Sequence, residues 1–411
     1  MSSVIVVDSE LKDSIQEYSQ IIDNIKKSND FSTSIKSLLP EKEGEELTNK
    51  SELYKQILNV STSENLKQLT EKEFEPTFYL LIYILIQLSN QNEVLNNEKS
   101  PIFQTLLEIN PQQPPSLRDR KSIKSTSILS ILSTVFNLLP VSSTIRVFIL
   151  KQILKVIKTS GIDFNLIQDN IGSNLINWLK ESKTNEQEIK TIFWEFIKLD
   201  GTFSEKSLKL IKDFTHSNTL STQELHELIY IALSSKTVDA SFLVNTNVAQ
   251  ALSNNNKSDD KLVSVFNKYV HGEIISIEEI PNDLPAKFIH SKSKILSLAK
   301  FFADASTSSS SSTNHDGIIF KYNEIPNVKS SLEFEQTLVE AIKVGVIEGK
   351  LNQVEETFYL SRVNRFILAG EDNTKNWENV KLVLKQWQNS LNDINNIVKT
   401  ARENIVNNNA N

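Results

Sequence analysis

The chain is predicted to be all-α dominated: an irregular helical-repeat solenoid of the TPR or HEAT type, then a winged-helix module, then one long C-terminal helix. Three observations lead there. Nine glycines and ten prolines in 411 residues are about 2% each, where an average globular chain has roughly 7% and 5%. Sandwiches, barrels and nucleotide-binding α/β folds need glycine for tight turns, positive φ and close approach to phosphates, so those classes are disfavoured. From Val141 through Ile280 there is no proline, and apolar residues recur at steps of three and four, the period of a helix face. The C-terminal segment carries a strict three-four apolar seam.

The elements follow in order. Val4 to Val7 open the chain as a short strand or extended piece, followed by a helix whose Leu11, Ile15, Tyr18, Ile22 and Ile25 share one face. Residues 40–50, charged and holding Pro40 and Gly44, form a loop. Helical spacing resumes with Leu53, Ile57 and Val60 and continues in a helix over 74–89. Its apolar run Phe78 to Ile86 is too short to span a bilayer. Pro111, Pro114 and Pro115 make 109–120 a loop. Helices then follow end to end. Their stripes are Ile149, Ile153, Val156 and Ile157; Ile171, Leu175, Trp178 and Leu179; Ile189, Phe193, Phe196 and Ile197; Leu208, Ile211 and Phe214; Leu225, Leu228, Ile229 and Leu233; and Leu262, Val265, Phe266 and Tyr269. None can bury its face alone, so they stack in pairs. Gly161 and Gly201 fall where a left-handed residue would stop a helix.

After Pro281 and Pro285 a basic amphipathic helix covers 286–303, with Phe288, Ile295, Leu298, Phe301 and Phe302 on its apolar side. Ser306 to Thr313 reads as a flexible loop, and Ile318 to Phe320 as a short strand. A helix over 331–344 places Leu332, Gln336, Val339 and Lys343 on a different side from Phe334, Leu338, Ala341 and Ile342, and Gly345 ends it. Two strands follow, Val346 to Leu351 and Thr357 to Val363. Helix, helix and hairpin in that order are the winged-helix signature. The expected domains are therefore helical repeats over 1–200, a second domain over 201–368 with its helical part at 201–285 and its winged helix at 286–368, and a terminal helix over 373–406. Trp377, Val380, Leu384, Trp387, Leu391, Ile394, Val398, Ala401 and Ile405 form the terminal seam, which must pack on its own domain or on partner helices.

The side-chain chemistry points away from catalysis. Forty-four basic and 51 acidic residues leave a net charge of −7, with no general pull toward nucleic acid or anionic membrane. No cysteine is present, so thiolate nucleophiles, thiolate metal sites and disulfides are excluded. His216, His226, His271, His290 and His315 are scattered, and His226-Glu227 is followed by Tyr230 where a zinc-protease helix has its second histidine. Neither a phosphate-binding loop nor a serine elbow occurs. No catalytic residue, metal ligand or cofactor is expected. A winged helix raises nucleic-acid binding, yet its second helix and first strand hold Glu333, Glu335, Glu340 and Glu348 against Lys343 and Lys350, the wrong balance for a groove. Lys287, Lys292, Lys294, Lys300, Arg362 and Arg365 leave weak RNA contact open.

Repeats running into a winged helix and then a terminal helix resemble the PCI proteins, which build the proteasome lid, the COP9 signalosome and eukaryotic translation initiation factor 3. Three stretches carry the resemblance, and it is to the initiation-factor branch: 3–28 (SVIVVDSELKDSIQEYSQIIDNIKKS), 141–161 (VSSTIRVFILKQILKVIKTSG) and 339–394, opening VEAIKVGVIEGKLNQ. The resemblance implies a non-catalytic cytoplasmic scaffold whose partners are other PCI subunits and, through the complex, the small ribosomal subunit, with no membrane. It also implies two contact surfaces. One is the seam of Trp377, Val380, Leu384, Trp387, Leu391, Ile394, Val398 and Ile405 in a helical bundle. The other is a winged-helix edge at Val346, Leu351, Phe358 and Leu360, pairing with a neighbouring winged helix. A lid or signalosome subunit, or an RNA-binding winged-helix protein, stands as the alternative.

Overall fold

The structure is a computed structural model describing residues 10–39, 47, 49–89, 94–113, 122–255, 260–308, 318–326, 330–366 and 373–408. The strand expected at Val4 to Val7, most of the 40–50 loop and His315 lie outside those residues. The chain divides into two compact units, Met1–Gly201 and Thr202–Asn411.

The first unit is helical. It comprises α1 (Leu11–Lys26), α2 (Asp30–Lys36), α3 (Lys50–Val60), α4 (Ser63–Leu66), α5 (Glu71–Leu88), α6 (Pro101–Ile109), α7 (Ser125–Leu138), α8 (Ile145–Ser160), α9 (Phe164–Ile167), a π turn (Gln168–Gly172), α10 (Leu175–Glu181) and α11 (Glu186–Ile197). The α1 face buries Ile15, Tyr18 and Ile22. Tyr18 donates to the Ser61 hydroxyl at 2.6 Å, and Ser61 in turn donates to the Ile57 carbonyl. This chain satisfies a phenol that burial would otherwise penalise. Asp23 accepts from the backbone of Phe31 and Ser32 at 3.2 and 2.9 Å, so α1 caps the start of α2.

Helix α5 starts three residues before the expected start at 74. Thr70 and Glu73 form a capping box there, with the Glu73 carboxylate accepting from the Thr70 amide and hydroxyl. The box holds the first turn although Pro76 lies inside the helix. A polar ladder then sets α5 against α7: Glu71 accepts from Lys124 N and Ser127 Oγ at 2.6 and 2.7 Å, and Glu75 from Ser130 Oγ at 2.6 Å. Such side-chain networks fix register in a packing that apolar contacts alone would let slide. Gly161 stops α8 at φ 68°, as its sequence position suggests. Gly201 does not act this way. Helix α11 ends at Ile197 with its last turn tightened by Leu199 and Asp200 amides, and the left-handed residue is Phe203 at φ 48°, whose ring meets Tyr230 edge-on at 6.0 Å.

The second unit opens with α12 (Glu205–Ser217), α13 (Thr222–Ser234), α14 (Thr246–Asn255) and α15 (Lys261–Val270). Polar caps precede them: Ser204 on α12, the Ser221–Glu224 box on α13 and Asp260 on α15. Their apolar faces, among them Leu208, Ile211, Leu228, Ile229, Phe266 and Tyr269, form one core. The winged-helix module follows as α16 (Ala286–Ser308), β1 (Ile318–Lys321), α17 (Ser331–Lys343), β2 (Ile347–Asn352) and β3 (Thr357–Val363), and the chain closes on α18 (Asn373–Asn408).

Two expectations for α16 change. It runs on through Ser308, taking in the start of the serine run; residues 309–313 are outside the described set. Phe288 is exposed, and Ile289 takes the inward place with Ile295, Leu298 and Phe302. The three strands form an antiparallel sheet in the order β1-β3-β2. Phe302 lies between Phe320 of β1 and Phe358 of β3, with ring centroids 4.9 and 5.4 Å away, so α16 and the sheet share an aromatic core. Helix α17 ends in a Schellman turn at Gly345, φ 76°, with Val346 N on Ala341 O and Gly345 N on Ile342 O. In β2, Gly349 passes against the Phe358 ring and the Tyr359 carbonyl. A Cβ there would stand 2.7 Å from Phe358 Cε2 and closer still to the carbonyl.

Candidate protein-interaction site

Helix α18 is 36 residues long, about 54 Å at 1.5 Å per residue. Every described side chain from Thr374 to Glu403 is exposed. Along the seam Trp377 is 73% exposed, Trp387 67% and Leu391 65%, and Val380, Leu384, Ile394 and Val398 are exposed as well. The side chain of Ile405 lies outside the described set. Leu382 and Ile397 add apolar surface off the seam. An exposed apolar stripe of this length far exceeds the scattered single residues normal on a surface.

The sheet offers less than its sequence suggests. Strand β3 is paired on both sides, so Phe358 and Leu360 sit on the central strand and not at an edge. Both are buried, as is Val346, and all three fill the module's own core; only Leu351 is half-exposed. The physical reason is the third strand: β1 covers the side of β3 that a two-stranded hairpin would leave open. The outer edge of β2 is the wing edge that stays unpaired among the described residues.

Helix α17, the helix that would enter a groove in a nucleic-acid reader, turns an apolar face outward. Leu332, Val339, Ile342 and Val344 are exposed. Its acids are engaged inside the module: Glu333 pairs with Lys294 at 2.5 Å, Glu335 accepts from Tyr322 Oη and Gln353 Nε2 at 3.1 and 2.7 Å, and Glu340 accepts from Ser291. Burial raises the Tyr322 phenol to about 12, with the Glu335 carboxylate adding to it. Sequence spacing sets Leu332 and Val339 apart from the core side; Ile342, grouped with Phe334, Leu338 and Ala341 by the same spacing, is exposed while those three are buried.

The basic residues that left RNA contact open are largely taken up as well. Lys294 holds Glu333, Lys300 donates to the His271 carbonyl at 3.2 Å, Arg362 pairs with Glu348 at 3.4 Å and Arg365 donates to Ser306 Oγ at 3.2 Å. Lys292 is 3% exposed. Its ammonium donates to the carbonyls of Ala232 and Ser235 at 2.8 and 3.0 Å, closing the C-terminus of α13, and lies 5.3 Å from the Tyr269 ring. Burial lowers its pKa to about 7, with Asp239 pulling the other way. Sequence spacing alone reads Lys292 as one more surface base, since helical repeats leave the α13 carbonyls invisible.

Among the described residues no group of histidine and carboxylate side chains could hold a metal ion. His226 pairs with Asp260 at 2.6 Å, which also caps α15, and His271 and His290 donate to backbone carbonyls. No described helix is long and apolar enough to cross a membrane.

These features define a helical-repeat protein that ends in a winged-helix module and an exposed amphipathic helix. Comparison with curated proteins gives the particular likeness: along nearly its whole length the chain is similar to eukaryotic translation initiation factor 3 subunit M. It is 25% identical to that protein of Phaeosphaeria nodorum over 98% of this chain and 90% of the relative. The Emericella nidulans protein is 24% identical over 98% and 91%, and the Aspergillus clavatus protein 22% identical over 98% and 87%. No family model matches the chain. The resemblance carried by three stretches of sequence thus extends over both units.

Proposed function

We propose that the chain is a scaffold subunit of eukaryotic translation initiation factor 3, acting in the cytoplasm to hold the complex together on the small ribosomal subunit during initiation of protein synthesis. The observation that carries this reading is the pairing of full-length similarity to subunit M with an exposed apolar helix at the chain's end. Its role is non-catalytic. Neighbouring PCI subunits engage the α18 seam as one strand of a helical bundle, burying Trp377, Leu384, Trp387, Leu391 and Ile394. A second contact forms along the open edge of β2, where backbone groups of a neighbouring winged helix extend the sheet. The proposed organisation is helical repeats over 1–200, a PCI domain over 201–368 and the bundle helix over 373–406.

Removing residues 373–411 tests the bundle role. The truncated chain is expected to stay folded, because no described side chain of the seam is buried in the fold, and to lose its partners on purification. Undiminished co-purification would overturn it.

A further inference from the structure

The seam divides the surface of α18 into two unlike flanks. One carries Lys381, Lys385, Lys399 and Arg402 with a single acid, Glu378. The other carries Ser390, Ile397, Thr400 and one acid, Asp393, while Glu403 lies farthest from the seam. All of these side chains are exposed, and none of the four bases joins an ion pair among the described residues. The chain as a whole is acidic at −7, so a basic flank runs against its average. The bases form two clusters, Lys381 with Lys385 and Lys399 with Arg402, about 27 Å apart along the axis.

We infer that α18 is recognised by an amphipathic helix of a different chain whose flank carries aspartate or glutamate at two levels, facing the Lys381/Lys385 and Lys399/Arg402 clusters. The inference rests on the bundle reading above and adds the chemistry of the partner. A second copy fits poorly. Parallel pairing sets Trp387 against Trp387 and Ala401 against Ala401, large on large and small on small, and puts no acid beside the basic flank. Antiparallel pairing brings Lys381 opposite Arg402, and like charges facing each other across a seam oppose assembly. A nucleic acid would neutralise the bases but leave the Trp377–Leu391 stripe in water. An acidic helix satisfies both at once, its apolar side covering the seam and its carboxylates meeting the exposed ammonium and guanidinium groups.

Zero-length carbodiimide coupling of the complex purified through the full chain, read by mass spectrometry, tests this. The reagent joins an amine only to a carboxylate in direct reach. Amides from Lys381, Lys385 or Lys399 to aspartate or glutamate of another chain are expected. Their absence, while a long amine-to-amine reagent still joins α18 to another chain, overturns the acidic partner and leaves the bundle reading standing. If neither reagent joins α18 to another chain, both fail. Reversing the flank in the full chain with Lys381→Glu, Lys385→Glu, Lys399→Glu and Arg402→Glu should lower partner recovery about tenfold at low salt, with the fold checked by circular dichroism. Full recovery of partners, release of them by nuclease, or a dimeric isolated chain in sedimentation would each overturn the inference.

Discussion

Lys292 makes a quantitative claim about how the winged helix is joined to the helices before it. Replacing it by methionine keeps the length of the side chain and removes the ammonium that closes α13 on the Ala232 and Ser235 carbonyls. Those acceptors are buried, and leaving them without a donor costs about 1–3 kcal/mol; relief from a buried charge offsets part of this while the lysine is protonated. The gap therefore depends on pH. The folded-state pKa is about 7, lowered by burial from the ordinary lysine value of 10.5. Between those values the unfolded chain holds a proton that the folded chain lacks, so the wild type gains stability as pH rises, by at most about 1.4 kcal/mol per pH unit. Lys292→Met has no such proton. Scanning calorimetry of the full chain at pH 6, 7.5, 8.5 and 9.5 should show a small deficit at pH 6 that widens steadily above pH 7. Parallel profiles, or a gap that narrows with rising pH, would refute the argument.

Two further substitutions probe the packing. Gly349→Ala pushes a methyl group into the Phe358 ring and the Tyr359 carbonyl, and backbone cannot yield as a side-chain tip can; a loss of about 1–3 kcal/mol is expected, seen in the same calorimetric transition that Lys292→Met affects. An unchanged transition would show that the approach is not close. Arg146 is buried with its Nε and Nη1 bonded to none of the described residues and its guanidinium 4.0 Å from the Phe136 ring centroid. Arg146→Met should therefore be neutral or stabilise the first unit by about 1 kcal/mol in urea unfolding, whereas a loss of several kcal/mol would mean the guanidinium has a partner.

The helical architecture and the winged helix were legible because they rest on local signals. Gly345 marks the end of α17, and the three-four spacing marks α18. What escaped depends on contacts between distant segments. The edge assignment failed at Phe358 and Leu360 because the pairing of β1 with β3 joins strands separated by a long connection, and no local pattern gives the strand order. Lys292 escaped because its acceptors lie at the end of α13, and Phe288 because a helix face in a spacing argument is broad enough to admit a neighbour such as Ile289. The early start of α5 escaped because the Thr70–Glu73 capping box is a polar signal that hydrophobic spacing does not register. Conversely, the exposed face at Leu332 and Val339 was visible in the spacing, but only the structure distinguishes an outward face from one covered by another helix.

The central claim is that this chain works as a scaffold subunit of initiation factor 3. The most direct measurement is mass spectrometry of the proteins that co-purify with the full chain under native conditions. The account predicts the other subunits of initiation factor 3 together with proteins of the small ribosomal subunit. Subunits of the proteasome lid or the COP9 signalosome in their place, or a chain recovered alone, would contradict it.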